Sequence, residues 1–324
     1  MKSNRDFNGA ANRPRDTLAA MTELAWLWIP VTLFAAAAQA GRNAVQRSLT
    51  ERLGTLGATQ VRFLYGFPFA LLFLVVVTHI TGDAWPSVNG RYLLFATGGA
   101  AAQIAATALM LAAMRERAFV VVTAWTKTEP IQVAVFALVV LGDPLSLWSI
   151  AGIIVATVGV VLMSTKPGVG AQAFSDWRPA VFGIASGAFF AFSAVGFRGA
   201  ILTLESGSFA MRASYTLVWS LGIQVAMLVA WMVCFKRSLI GPCLRAWRTS
   251  LLGGLLGASA SQGWFLGFAL TAAANVRTLG LVEVLFAQLL SRRIFAQSAS
   301  PRELGGILLI VAGAVVIVIT AIAA

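Results

Sequence analysis

The chain has 324 residues, 59% of them hydrophobic and 11% charged, with a formal net charge of +12 and a mean hydropathy of +0.83. A charged share so far below the ~25% of soluble domains excludes a pair of soluble domains and predicts a polytopic helical membrane protein. The 24 basic residues are scattered and form no dense patch, so the charge implies no nucleic-acid partner.

Residues 1–23 mix Lys2, Arg5, Arg13 and Arg15 with Asn, Gly and Pro and lack an apolar core. They read as a disordered tail, not a signal peptide. Stretches free of Asp, Glu, Lys and Arg follow at 24–41, 63–82, 92–114, 144–165, 179–197, 213–235, 249–276 and 304–324. Each is close to the ~20 residues that a bilayer asks of a helix. Two more apolar regions, 116–142 and 273–295, hold ionisable residues inside them: Lys127 and Glu129 in the first, Glu283 in the second. Counting both, ten transmembrane helices are expected. The runs are continuously apolar, without the alternation of a membrane β-strand. Trp26, Trp28, Trp85, Trp148, Trp177 and Trp247 fall at span starts or in a loop and read as interfacial anchors. Gly98-Gly99, Gly183-x-x-x-Gly187 and Gly253-x-x-x-Gly257 mark places where helices approach closely.

The chain also resembles itself. Residues 129–162 align without a gap to 283–316, matching Glu129 with Glu283, Gly152 with Gly306 and Gly159 with Gly313. Phe34-Ala35 and Arg42 echo Phe190-Ala191 and Arg198, and Arg62-x-x-Tyr65 echoes Arg212-x-x-Tyr215. These echoes divide the chain into two five-helix units, 24–165 and 179–324, joined by a linker at 166–178. An odd number of crossings sends the second unit into the membrane from the opposite face, so the units are expected to be inverted repeats (5+5). Secondary transporters use that architecture to expose a midplane site to either side in turn.

The turn Leu141-Gly142-Asp143-Pro144-Leu145-Ser146, followed by Gly152 and Gly159 in an apolar helix, resembles the end of a repeat in the EamA family of the drug/metabolite transporter superfamily. The resemblance implies alternating-access movement of a small metabolite or drug-like solute across the cytoplasmic (inner) membrane without ATP hydrolysis. It names no solute and no cofactor. Asp143 stands where the family has Glu, and the second copy reads Phe295-Ala296-Gln297-Ser298 with no acid. Asp143 is therefore expected to cap the helix that follows.

Ionisable groups at membrane depth are costly and are candidates for function. Helical spacing gives Glu129 the neighbours Trp125, Thr126, Gln132 and Val133, and Pro130 predicts a kink that frees the Thr126 carbonyl. Two readings of Glu129 stand open: a proton-coupling carboxylate, or an ionised group paired with Arg62 or Lys127. Glu283 lacks a following proline, predicts no kink, and is expected to pair with Arg212 or Arg277. Lys127 is a candidate for a solute carboxylate or phosphate, with snorkelling as the alternative. Tyr65 and Tyr215 are candidate gates or solute ligands beside Arg62 and Arg212, or interfacial anchors. Trp264, Gln262, Gln103 and Trp219 are candidate cavity residues.

Fourteen basic residues follow odd-numbered spans and eight lie on the other side, a bias that puts both termini outside, whereas the family resemblance implies the reverse. Cys234 and Cys243 show no metal or redox spacing. The lone His79 and the absence of G-x-S-x-G and H-E-x-x-H motifs weigh against an intramembrane hydrolase, which with a channel is the competing reading. No catalytic or metal residues are expected. The partners expected are the solute, the bilayer and protons, in a monomer or homodimer.

Overall fold

A computed structural model describes residues 25–116, 125–164, 177–295 and 300–323. Among them are eleven α-helices and no strand. The tail expected at 1–23, the start of the fourth span and most of the linker lie outside the described residues.

A 3-10 turn, Ala25–Leu27, leads into α1 (Trp28–Thr81), which is two arms joined at Gly54. Gly54 sits at φ 66° and ψ 175°, a conformation open to glycine and strained for other residues. The connection expected between the first two spans is thus helical on both sides of one glycine. α1 ends at Gly82 in the left-handed conformation, its N–H donating to the Thr78 carbonyl. There follow α2 (Gly90–Glu116), α3 (Glu129–Leu141), α4 (Leu147–Ser164), α5 (Trp177–Thr203) and α6 (Phe209–Phe235). The short α7 (Ile240–Arg245) precedes α8 (Trp247–Leu270). α9 (Ala273–Leu279) runs through a 3-10 turn, Gly280–Val282, into α10 (Glu283–Phe295), and α11 (Pro301–Ala323) closes the chain.

Local chemistry explains the starts. Ser208 caps α6 by accepting from the Met211 N–H. Ser300 and Glu303 form a reciprocal capping box ahead of Pro301 at the start of α11. The cap expected of Asp143 belongs instead to Ser146, whose Oγ accepts from the Ser149 N–H at 3.0 Å. Asp143 is drawn away by Arg198 of α5, with Arg198 Nε donating to Oδ2 at 2.8 Å and Nη2 to Oδ1 at 3.1 Å.

Five helical segments are long and apolar enough to cross a membrane: Gly57–Thr81, Gly90–Met110, Val181–Thr203, Phe209–Phe235 and Pro301–Ala323. α3 and α4 are shorter apolar helices, and α9 and α10 are fragments of one interrupted run. Large apolar side chains point outward, among them Ile80, Leu94, Val139, Leu147 and Leu308, while alanines such as Ala35, Ala96, Ala106, Ala200 and Ala213 fill the interior. Lipid tails replace water outside, so apolar bulk is free to face out and close packing of small residues holds the helices together.

Three crossings dominate the packing: α1 with α8, α2 with α5, and α4 with α11. Each runs over glycine. A Cβ on Gly313 would lie 2.6 Å from the Gly152 carbonyl oxygen, and one on Gly159 would lie 2.8 Å from the Gly306 carbonyl oxygen. Gly99 and Gly196 meet at the α2/α5 crossing, and Gly254 meets the Tyr65 backbone at α1/α8. The expected tryptophan belt needs one correction. Trp26, Trp85, Trp148 and Trp247 are exposed, but Trp28 is buried in the core because its face of α1 turns inward. The side chain of Trp177 lies outside what is described.

Candidate functional site

The charges expected at membrane depth converge between α3, α8, α9 and α10. Trp125 and Thr126 are helical, the chain turns at Lys127-Thr128, and α3 begins at Glu129 with Pro130 in its first turn. The proline starts a helix rather than kinking one, since its missing N–H is an orphan there anyway. Glu283 likewise opens α10 directly after the Gly280–Val282 turn. A break was not expected at Glu283, which has no proline after it. Both acids therefore sit in the first turn of a restarted helix, where free N–H groups and the helix dipole favour a carboxylate.

Each acid is held by a cation from the other interrupted run. Arg277 Nη2 donates to Glu129 Oε2 at 2.7 Å and lies 2.6 Å from Oε1. Lys127 Nζ donates to Glu283 Oε1, and Gln39 Nε2 donates to Glu283 Oε2. Trp264 Nε1 donates to Gln39 Oε1 at 3.1 Å, which ties α8 and α1 to the cluster. The Arg277 guanidinium stacks 5.1 Å from the Trp264 ring centroid. Gly280 makes room for that ring: a Cβ there would lie 2.6 Å from an indole carbon. Lys127, Glu129, Pro130, Trp264, Arg277, Gly280, Leu281 and Glu283 line one cavity, with room for only about one water molecule. The cluster is closed upon itself.

Lys127, Glu129, Glu283 and Trp264 are thus brought together. The partners expected for the acids are exchanged, because the break at 280–282 re-aims Arg277 and Glu283 toward the α3 turn: Glu129 takes Arg277 rather than Arg62 or Lys127, and Glu283 takes Lys127 rather than Arg212 or Arg277. Neither Arg62 nor Arg212 forms an ion pair with a carboxylate among the described residues. Trp125 and Gln132 do not line the cavity. Gln132 Nε2 donates to Thr128 Oγ1 and the Ile184 carbonyl, facing α5. The Thr126 carbonyl faces Gly187 of α5, 3.1 Å from where a Cβ would stand. Tyr65 donates its hydroxyl to the Cys243 and Leu244 carbonyls, clasping α7. Tyr215 packs with Trp85, Tyr92 and Trp219 at the opposite end of the bundle. Gln262 donates to Ser214, and Gln224 donates to Gln103.

Sequence reasoning did not find Gln39, a lone amide in an apolar run, or Gly280, whose role appears only once Trp264 is seated. Arg42 and Arg198 stand out in the sequence as an echo. The structure gives them different surroundings: Arg198 holds Asp143 and donates Nη1 to the Phe268 and Thr271 carbonyls, whereas Arg42 is 8% exposed and its Nε has no partner.

An all-helical bundle with apolar flanks and a buried cluster of charge defines a membrane protein with an internal polar site. The model of the EamA-like transporter family, which belongs to the drug/metabolite transporter superfamily, matches residues 26–165. Among solved structures, one described only as "Crystal structure of protein" is 15% identical, covers 91% of this chain and 98% of its own, and superposes with a TM-score of 0.67. That likeness shows a shared fold. No curated protein matches the chain.

Proposed function

We propose that this protein is a secondary active transporter, built of ten spans in two inverted five-helix repeats, that moves a small metabolite or drug-like solute across the cytoplasmic membrane by alternating access coupled to protons. The observation that carries the reading is the exchange of charges: Glu129 and Glu283, aligned in the repeats, each begin a restarted helix and each hold a cation from the other repeat. Interrupted helices in corresponding positions are what carriers use to line a midplane site.

Packing supports the inverted repeat. The sequence aligns Gly152 with Gly306 and Gly159 with Gly313, and the crossing sets Gly152 against Gly313 and Gly159 against Gly306. Exchanging the two halves maps one contact onto the other, as a two-fold axis requires. The α2/α5 crossing maps onto α8/α1 in the same way.

In this account the two ion pairs latch the halves together in a closed state. A proton on Glu129 removes the counter-charge of Arg277, weakens the latch and lets the halves rock. A solute charge does the same by competing for either partner. Neither the hydrolase nor the channel reading is favoured by a specific observation. The test uses protein reconstituted in liposomes and a radiolabelled solute chosen from those that raise its thermal stability. The expected result is counterflow, with pH-gradient-driven accumulation lost in Glu129→Gln while exchange persists. Chemical conversion of the solute without flux would refute the proposal.

A further inference from the structure

The latch neutralises two of the cations near it but leaves two others. Arg42 and Arg62, on the two arms of α1, flank Gly257 of α8: a Cβ on Gly257 would lie 3.4 Å from Arg42 Cδ and 3.7 Å from Arg62 Cγ. Arg42 is buried and Arg62 partly buried. Arg62 stacks 4.8 Å from the Phe63 ring centroid. Arg42 Nη2 donates to Asn43 Oδ1 at 2.7 Å, an uncharged acceptor, and its Nε is unpartnered. The two positive charges act on each other, and Arg42 also feels Glu283 and Arg277. Arg42, Arg62, Lys127 and Arg277 thus stand against Glu129 and Glu283, an excess of two positive charges among the described residues.

The second repeat shows what complete pairing looks like. Arg198, aligned with Arg42, has a carboxylate on two nitrogens and two backbone carbonyls on the third. The residue aligned with its partner Asp143 is Gln297, so the first repeat's arginine has no acid at the corresponding place in the sequence. Adjacent guanidiniums in a low-dielectric interior are costly without a counter-charge, and a guanidinium fork suits a two-oxygen acid.

Resting on the transporter reading, we infer that the solute is an oxyanion, a carboxylate or phosphate compound, whose acid group binds Arg42 and Arg62. Trp264 follows Gly257 by seven residues on α8, a rise of about 10 Å. An acid group at the arginines therefore leaves the body of a small solute directed toward Gln39, Trp264 and the latch.

The test measures thermal stability of the purified protein with inorganic phosphate, succinate and, as a cationic control, putrescine, at constant ionic strength. A saturable rise with phosphate or succinate, absent with putrescine, lost in Arg42→Gln and Arg62→Gln and kept in Arg91→Gln, is the expected result. No saturable rise with either anion, or an equal rise in Arg42→Gln, overturns the proposal. A parallel series in phosphatidylcholine vesicles with and without phosphatidylglycerol separates the sources: stabilisation through Arg42 by the anionic lipid alone assigns the arginines to a headgroup and overturns the solute. Counterflow of a neutral solute unchanged in Arg42→Gln would overturn the anion while leaving transport standing. Anion stabilisation without flux of any anion tested would do the reverse.

Discussion

Arg198 and Arg42 lie at aligned positions in the two halves of the chain, and their surroundings differ. Arg198 is locked to Asp143 and to the end of α8 through the Phe268 and Thr271 carbonyls. Arg42 is buried, more so than Arg198, yet keeps an unpartnered Nε beside a second arginine. On the proposed reading, Arg198 is committed to structure and Arg42 is left for binding. In the sequence, Asp143 aligns with Gln297, which carries no charge.

The largest expected difference between Arg198 and Arg42 is in stability. Arg198→Gln strands a buried Asp143 and is expected to cost about 3–5 kcal/mol, whereas Arg42→Gln removes an uncompensated charge and is expected to be neutral or stabilising without added anion. Thermal unfolding of the two variants in one detergent checks the sign, and equal destabilisation would erase the distinction. Next in size is the crossing that the repeats share. Gly313→Ala presses a methyl group onto the Gly152 carbonyl and the Ala156 backbone, and overpacking of this kind costs about 1–3 kcal/mol. Gly98→Ala, with nothing within 4 Å of the new Cβ, is the control that should not lower the melting temperature and should raise it slightly, as Gly→Ala does inside a helix.

Gln297→Asp then asks whether the missing acid is the cause. It should abolish the anion-induced rise in melting temperature while leaving the anion-free protein folded; an undiminished rise would separate Arg42 from that position. The smallest effect lies far from both arginines. Asp83 accepts from the Ser208 N–H at 2.9 Å, and hydrogen bonds from the Ser208 side chain and backbone hold its carboxyl below the ordinary 3.8. A carboxyl depressed on folding contributes stability above its unfolded value, and that contribution fades as pH falls through the folded one. Because Asp83 is only partly buried, Asp83→Asn should cost less than about 1 kcal/mol near neutral pH. The difference from the unaltered protein should vanish in melts at acid pH well below 3.8.

The sequence singled out Glu129, Glu283 and the glycines Gly152, Gly159, Gly306 and Gly313, because burial and close approach constrain residue type. The regions read as 63–82 and 116–142 also end where the helices end, at Gly82 and Gly142, whereas the span read from 213 starts earlier, at the Ser208 cap. What the sequence hid depends on contacts distant along the chain. The cap expected of Asp143 failed because Arg198, 55 residues on, outbids a local N–H. The ion pairs were misassigned because the turn at Gly280–Val282 has no proline to announce it, and that turn decides where Arg277 and Glu283 point. Gly54 carries no sequence signal that sets it apart from Gly57 three residues on, yet its positive φ joins the two arms of α1.

The most direct test of the central claim, that charges exchanged between the halves latch a carrier, is counterflow in liposomes for Lys127→Glu, Glu283→Lys and the double variant. The account predicts that either reversal alone, by facing like charges across the latch, abolishes counterflow and that the double variant regains a substantial part of it. Single variants as active as the unaltered protein, or a double variant no better than either single, would contradict it.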